Sequence, residues 1–418
     1  MTGIKENVAR KTVLLASTIN WPVASRMAIR FAHAGCNVAA LYPSKDHPLA
    51  STQAVGAHFS FSMIQPSDSL VEAIQASGAE VVIPCDDLVV RYLHDLYGTL
   101  PATPEGKILA QVIERSLGDS TAYLLVGSRH EVQTAARAEG FNAAESFAIG
   151  KATDLEALTQ VLPFPWVLKA DHTWGGTGVR FVHSVNEARA FIRRSGSPPG
   201  LLKVLKQFVV NRSRTAVGEW MHAVRPGLSA QRPVPGSPAN TVAACWQGEP
   251  LATISVEVLA TNGVTGPATK VRIIHNAQMA QTVRGMAARL GLSGFHGFDF
   301  MLEKETGQAA LIEINSRCAP PCHINAGPGQ DLVDAFYRRW AGTPPRETSP
   351  IHPGPIIAYF PQAWVADPAD PILETGAYDI PREDPQLIAR IKELAMRDQR
   401  YLALKGRLRG VLGHKTAK

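Results

Sequence analysis

The sequence predicts an α/β unit followed by an α+β region. Three observations carry this: apolar runs alternate with amphipathic segments over the first hundred residues, a Pro/Gly-rich break follows at 99–106, and beyond it strands and helices mix without that alternation. At 418 residues the chain has room for two or three domains, on a prior of about 150 residues each.

The elements follow in order. Residues 12–17 (TVLLAS) are a short apolar run, 22–35 carry Val23, Met27, Phe31 and Ala34 on one helical face, and 37–42 (NVAALY) return to strand. A helix is expected over 69–77, a buried strand over 80–85 (EVVIPC), and a helix over 86–97 opened by Asp86 as N-cap. These give a small parallel sheet with helices on its faces. No GxGxxG follows the first strand, where STINWP stands, so a dinucleotide fingerprint is absent; Trp21 in that turn is read as a packing residue before a ligand contact. TLPATPEG punctuates the chain as a linker, and a boundary is placed after residue 103. Helices are then expected at 128–140, 185–194, 201–222 and 276–290, and strands at 165–170, 228–234, 241–246, 251–258, 296–302 and 309–315. The segment from 346 to 418 is read as a C-terminal extension, proline-rich at first and ending in a basic helix.

Composition narrows the class. Hydrophobic residues make up 45% and charged residues 19%, as in a globular chain. The net charge is +6, but residues 397–418 hold seven cations against Asp398 alone, so the rest is balanced and the high pI is no nucleic-acid signature. No apolar run approaches the roughly 18–20 residues of a membrane helix, and the N-terminus lacks signal-peptide order. The expectation is a soluble cytoplasmic protein with no nucleic-acid or membrane partner. Five scattered cysteines fit reduced thiols. Cys318, Cys322 and His323 in CAPPCH raise the question of zinc, but no second ligand pair lies nearby, so a loop beside the active site is the preferred reading, with Cys322 and His323 as candidate pocket residues.

Chemistry concentrates in two segments. In PWVLKADHTWGGTGV a strand delivers Lys169, and Gly175, Gly176 and Gly178 give the following turn room to bring backbone N–H groups against an anion. A lysine with such a loop suits a triphosphate, although the order is not that of a Walker A loop. In GFHGFDFMLEKETGQAALIEINSR, Asp299 lies on one strand while Glu313 and Asn315, two apart, share a face of the next. Paired through the EKETGQ turn, they form a hard oxygen set of the kind Mg²⁺ requires when it bridges phosphates. Arg317, two residues on, adds a cation.

These motifs, with GPATKVRII and LGLSGFHGFDFML in the same order, resemble the ATP-grasp superfamily of ATP-dependent ligases over roughly residues 104–335. The resemblance implies a Rossmann-like N-terminal domain (1–103), a two-lobed ATP-grasp domain (104–345) and the C-terminal extension. By position it implies that Lys169 contacts ATP phosphates under a lid of Gly175, Gly176 and Gly178, and that Asp299, Glu313 and Asn315 ligate Mg²⁺ (or Mn²⁺). Lys270 and Arg317 match cations that face the transferred phosphoryl group and the substrate carboxylate. For the adenine strand, SAQRPVPGSPAN (Gln231, Arg232, Val234) is preferred to VLKQFVV with Gln207, because it has the Pro-Gly turn. Two departures stand out: Arg129 occupies the place of a usual lysine, and Asn315-Ser316-Arg317 replaces Asn-Pro-Arg. The activity implied is an ATP-dependent ligase joining a small-molecule carboxylate to an amine or thiol through an acyl phosphate, with a homodimer among the assemblies it allows. A biotin-carboxylase-like bicarbonate-activating enzyme and a non-catalytic ATP-binding module stay open as alternatives.

Overall fold

The computed structural model describes residues 10–150, 153–171, 178–195, 227–263, 266–327, 329–347, 354–374 and 378–413, with side chains to residue 400. The N-terminal unit runs β1 (Thr12–Ala16), α1 (Pro22–His33), β2 (Asn37–Tyr42), β3 (Ala57–Ser60), α2 (Pro66–Ser77), β4 (Val81–Pro84), α3 (Asp87–Thr99) and α4 (Pro104–Leu117). Its four strands are parallel in the order β3-β2-β1-β4. Buried runs such as Val13–Ala16 explain why both faces need helical cover. Asp86 caps α3 as expected, accepting from the Val89 N–H at 3.1 Å while also holding the Thr18 N–H at 2.6 Å.

The boundary expected after residue 103 falls between α3 and α4, yet α4 belongs to the first core. It buries Leu109, Val112, Ile113 and Leu117 with Val82, and Ser116 Oγ accepts the Val82 N–H of the sheet edge at 2.8 Å. Thr103 opens this helix as an N-cap, so the Pro/Gly punctuation marks a helix start more than a domain edge.

The second unit comprises α5 (Tyr123–Val126), α6 (Arg129–Ala138), β5 (Ser146–Ile149), α7 (Leu155–Val161), β6 (Trp166–Ala170), β7 (Val179–Val182), α8 (Val185–Ser195) and β8 (Leu228–Gln231). Its four strands form an antiparallel sheet, β5-β8-β6-β7, over a core around Trp166 and Leu168. The helix expected over 201–222 lies outside the described residues.

The third unit comprises β9 (Gly236–Trp246), β10 (Glu249–Thr261), β11 (Ala268–Ile274), α9 (Ala277–Leu290), β12 (Gly294–Glu303), β13 (Ala309–Asn315), α10 (Leu332–Trp340), β14 (Ile356–Tyr359), α11 (Gln362–Ala366), β15 (Tyr378–Asp379) and α12 (Pro385–Gly413). Its strands build one seven-stranded sheet, β13-β12-β9-β10-β11-β14-β15. The segment after residue 345 is therefore no appendage, because β14 and β15 complete the sheet's far edge. α9 covers one face with Met279, Val283 and Met286. The other face shares a continuous core with the N-terminal unit, in which Phe31 of α1 meets Phe295 of β12 edge-on at 5.9 Å. Just beyond β13 the Cys318 N–H donates to the Pro84 carbonyl at 3.2 Å, tying the carboxyl end of β4 to the exit of that strand.

Candidate functional site

Strand register assembles the centre of the site. Asp299 of β12 stands opposite Glu313 of β13 on one side and Asn240 of β9 on the other. Three polar side chains thus form a row across neighbouring strands, with Asn315 one repeat further along β13. The Asn315 Nδ2–H donates to Asp299 Oδ2 at 3.0 Å, and Asn240 Nδ2–H donates to Asp299 Oδ1. Lys169 arrives from β6 of the second sheet and Arg129 from the first turn of α6. Arg129 is ion-paired with Glu313 and donates to the Ala170 carbonyl, while its own N–H donates to Asp171 at 3.2 Å.

Electrostatics sort these groups into distinct states. Burial pushes the Asp299 carboxyl well up, and the neighbouring Glu313 carboxylate adds to the rise. Burial would also raise Glu313, but the Arg129 and Lys169 cations overcome it and hold the group below the usual carboxylate range. Lys169 is only 6% exposed, and burial pulls its ammonium down to about 8 although Glu313 opposes the fall. Burial would lower Arg317, but Asp87 outweighs it and raises the guanidinium.

The donor set fits a hard divalent cation. Of the two adjacent carboxylates Glu313 is ion-paired with Arg129, whereas Asp299 is held by two amide N–H groups, and the buried Asn240 Oδ1 in the same row has no hydrogen-bond partner. Asp299, Glu313 and Asn315 are the residues that would hold Mg²⁺. Among the described residues no group of three or more His, Cys, Asp or Glu side chains is arranged to hold a metal. Cys318 and Cys322 are buried, with Cys322 Sγ accepting the Ala319 N–H, and His323 is bonded to Asp379 at 2.7 Å.

A cavity of about 430 Å³ opens on this row and is lined by Lys169, Asp299, Glu313, Asn315 and Arg317. Of the residues expected to meet there, Arg129, Lys169, Asp299, Glu313, Asn315 and Arg317 do so, and seven described ones do not. Lys270, expected to face the transferred phosphoryl group, instead donates to Asp370 at 2.6 Å, while its neighbour Val271 lines the cavity. Gln231 is spent on Gln133, whose Nε2–H it accepts at 3.0 Å, and Arg232 pairs with Glu145 at 2.8 Å. Neither they nor half-buried Val234 lines the cavity, although all three stand on the connection between the two sheets. Gly178 accepts the Ala170 N–H at 2.9 Å through its carbonyl, whereas Gly175, Gly176 and Gln207 lie outside the described residues. His323, a candidate pocket residue, does not line the cavity, and neither does Cys322, for which packing is the preferred role.

Four participants were not legible as site residues. Asn240 stands just before the expected strand 241–246, Asp87 carries no motif, Asp171 lies in PWVLKADHTWGGTGV without a role assigned to it, and Trp21 reads as packing ahead of a ligand contact. Trp21 lines the cavity with Arg317 above its ring at 5.8 Å, and Asp87 accepts from Arg317 at 3.0 Å. The signal available was chain position alone: Trp21 and Asp87 follow the carboxyl ends of two neighbouring parallel strands.

Comparison with known proteins bears on the fold. Residues 151–321 match the family model described as an ATP-grasp domain. No curated protein sequence matches the chain significantly. Among solved structures, the chain is similar to N5-carboxyaminoimidazole synthetase from Staphylococcus aureus complexed with ADP, at 12% identity and TM-score 0.57, over 82% of this chain and 80% of that one. It is similar to L-amino acid ligase from Bacillus licheniformis at 14% identity and TM-score 0.56, over 82% and 79%. It is also similar to the biotin carboxylase domain dimer of Hydrogenobacter thermophilus 2-oxoglutarate carboxylase, in complex with MgADP, ADP and bicarbonate, at 16% identity and TM-score 0.55, over 83% and 73%. At these identities the likeness is one of fold. No helix among the described residues is long and apolar enough to cross a membrane.

Proposed function

This chain carries an ATP-grasp domain, and from that premise we propose that it is an ATP- and Mg²⁺-dependent ligase that joins a small-molecule carboxylate to an amine. The observation that supports the reading best is the single cavity on which Lys169, Asp299, Glu313, Asn315 and Arg317 converge. In this reading Lys169 and Arg129 neutralise ATP phosphates, and the backbone of Gly175, Gly176 and Gly178 covers them. Asp299, Glu313 and Asn315 would hold Mg²⁺, which when bound would supply charge neutralisation to the phosphates. Arg317 orients the substrate carboxylate. A carboxylate oxygen attacks the γ-phosphorus, the bond to the β–γ bridging oxygen breaks, and ADP leaves. The amine then adds to the acyl carbon, phosphate departs, and the amine proton is lost to solvent. Such transfer rests on positioning and charge, so no protein nucleophile is needed.

Lys270 has a place in this reading only if its bond to Asp370 is exchanged for the nucleotide. A reaction that consumes ATP implies a cytoplasmic setting, and the five buried free cysteines are consistent with a reducing one. An ADP-release screen of carboxylic acids paired with amines tests the assignment. Release that requires both partners is the expected result. Release driven by bicarbonate without an amine would point to the carboxylase reading, and nucleotide binding with no release across the panel would point to a non-catalytic module.

A further inference from the structure

A second cavity, of about 60 Å³, lies against the first and shares Arg129, Glu313 and Asn315 with it. Its other wall is α3, which presents Asp87, Val90, Arg91 and His94 at the spacing of one helical face. Each carboxylate lining it is already met. Asp87 takes Arg317 at 3.0 Å, Glu313 takes Arg129, and Asp171 takes the Arg129 N–H at the start of α6, where the helix end favours negative charge. His94 is stacked on the Tyr123 ring. Arg91 differs. Half-buried, it makes no ion pair or hydrogen bond with any described residue, and its guanidinium lies 5.2 Å from the Tyr92 ring. Nε and Nη2 are covered by protein, which leaves Nη1 as the open nitrogen. A half-buried cation without a counter-ion is costly, and in a recess with room for one small oxyanion group it calls for an anionic ligand.

We infer that Arg91 receives the acidic group of the amine substrate, and that the nucleophile is therefore an amine that also carries a carboxylate or a phosphate. The inference rests on the ligase reading and adds the nucleophile's class to it. Position supports the assignment. Arg91 stands one helical turn, about 5 Å, along α3 from Asp87, and Asp87 holds the Arg317 guanidinium to which the substrate carboxylate is assigned. The acid partner already has Arg317, so the second cation is left for the nucleophile. An anion on Arg91 tethers its amine beside the acyl carbon, where Asn315 is common to both cavities. At about 60 Å³ the recess takes the acidic group and leaves the rest of the molecule to the larger cavity.

The test uses the full-length protein, the best acid from the ADP-release screen and three amines of one chain length: an aminocarboxylic acid, its carboxamide, and the corresponding aminoalkyl phosphate. The preferred acidic amine is expected to exceed the carboxamide about tenfold in kcat/KM, and which of the two is preferred identifies the group. Arg91→Gln should bring that preference to near unity by raising KM for the acidic amine, and Arg91→Lys, which keeps the charge without the fork, should restore part of it. A preference for the carboxamide, or one that survives Arg91→Gln, would overturn the inference, as would a loss in Arg91→Gln that follows the acid partner instead of the amine. Calorimetric titration of the acidic amine and its carboxamide into the parent and Arg91→Gln proteins keeps the two readings apart. Binding that favours the acidic amine only when Arg91 is present, without turnover in the screen, contradicts the ligase and upholds the subsite. Equal affinities with turnover intact, the mark of a merely water-filled recess, overturn the subsite alone.

Discussion

Arg317 donates from Nε to Asp87 Oδ1 across 3.0 Å, tying the residue two beyond β13 to the first turn of α3. The pair joins α3 of the N-terminal unit to the β12–β13 hairpin and holds the guanidinium beside the Trp21 ring. Both side chains are largely covered, at 14% and 20% exposure, so the cation depends on this acid for compensation. Asp87→Ala should lower stability by about 1–3 kcal/mol in urea unfolding and cut kcat/KM for the carboxylate at least tenfold. Nucleotide affinity, which the proposed reading assigns to Lys169, should change far less.

Lys169 illustrates a site built at the expense of stability. Burial is the largest influence on its ammonium and pulls it down to about 8. An apolar side chain of similar length removes that penalty. Lys169→Met should therefore leave the ligand-free protein as stable as the parent or more so, by up to about 2 kcal/mol in thermal unfolding, while abolishing ADP release.

Two buried histidines set an acid limit. Burial brings His47 and His296 down to about 4. His47 must be neutral, since Nε2–H donates to the Ile19 carbonyl while Nδ1 accepts the Leu49 N–H. Below about pH 6.5 the unfolded chain binds protons that the folded rings refuse, so stability should fall as pH drops from 6.5 toward 4. Each ring contributes on the order of 3 kcal/mol at most to that fall. Unfolding midpoints across this window should decline less steeply for His296→Gln than for the parent.

The connection between the two sheets leaves no room at Gly236. A Cβ there would collide with the Leu302 carbonyl. Gly236→Ala should displace the start of β9, cost about 1–3 kcal/mol in urea unfolding, and weaken nucleotide binding measured by calorimetry.

What the sequence disclosed about the site followed from local pattern. Period-2 alternation put Glu313 and Asn315 on one face, the EKETGQ turn paired them with Asp299, and Asp86 announced the start of α3. What it hid depends on contacts between distant segments. Asn240 enters through the register of β9 with β12, 59 residues from the carboxylate it serves. Gln231 and Lys270 were diverted by Gln133 and Asp370, 98 and 100 residues away in sequence, and no local pattern encodes such partners. The C-terminal strands were missed because β14 and β15 are four and two residues long in a proline-rich stretch.

The central claim is an acyl phosphate formed at Lys169, Asp299, Glu313 and Arg317. It is tested most directly by following carboxylate oxygen. With the best acid from the ADP-release screen, labelled with ¹⁸O in its carboxylate, one labelled oxygen should appear in the released inorganic phosphate for each amide formed. Glu313→Gln should release neither ADP nor labelled phosphate. Product formation with unlabelled phosphate, or full turnover by Glu313→Gln, would contradict the account.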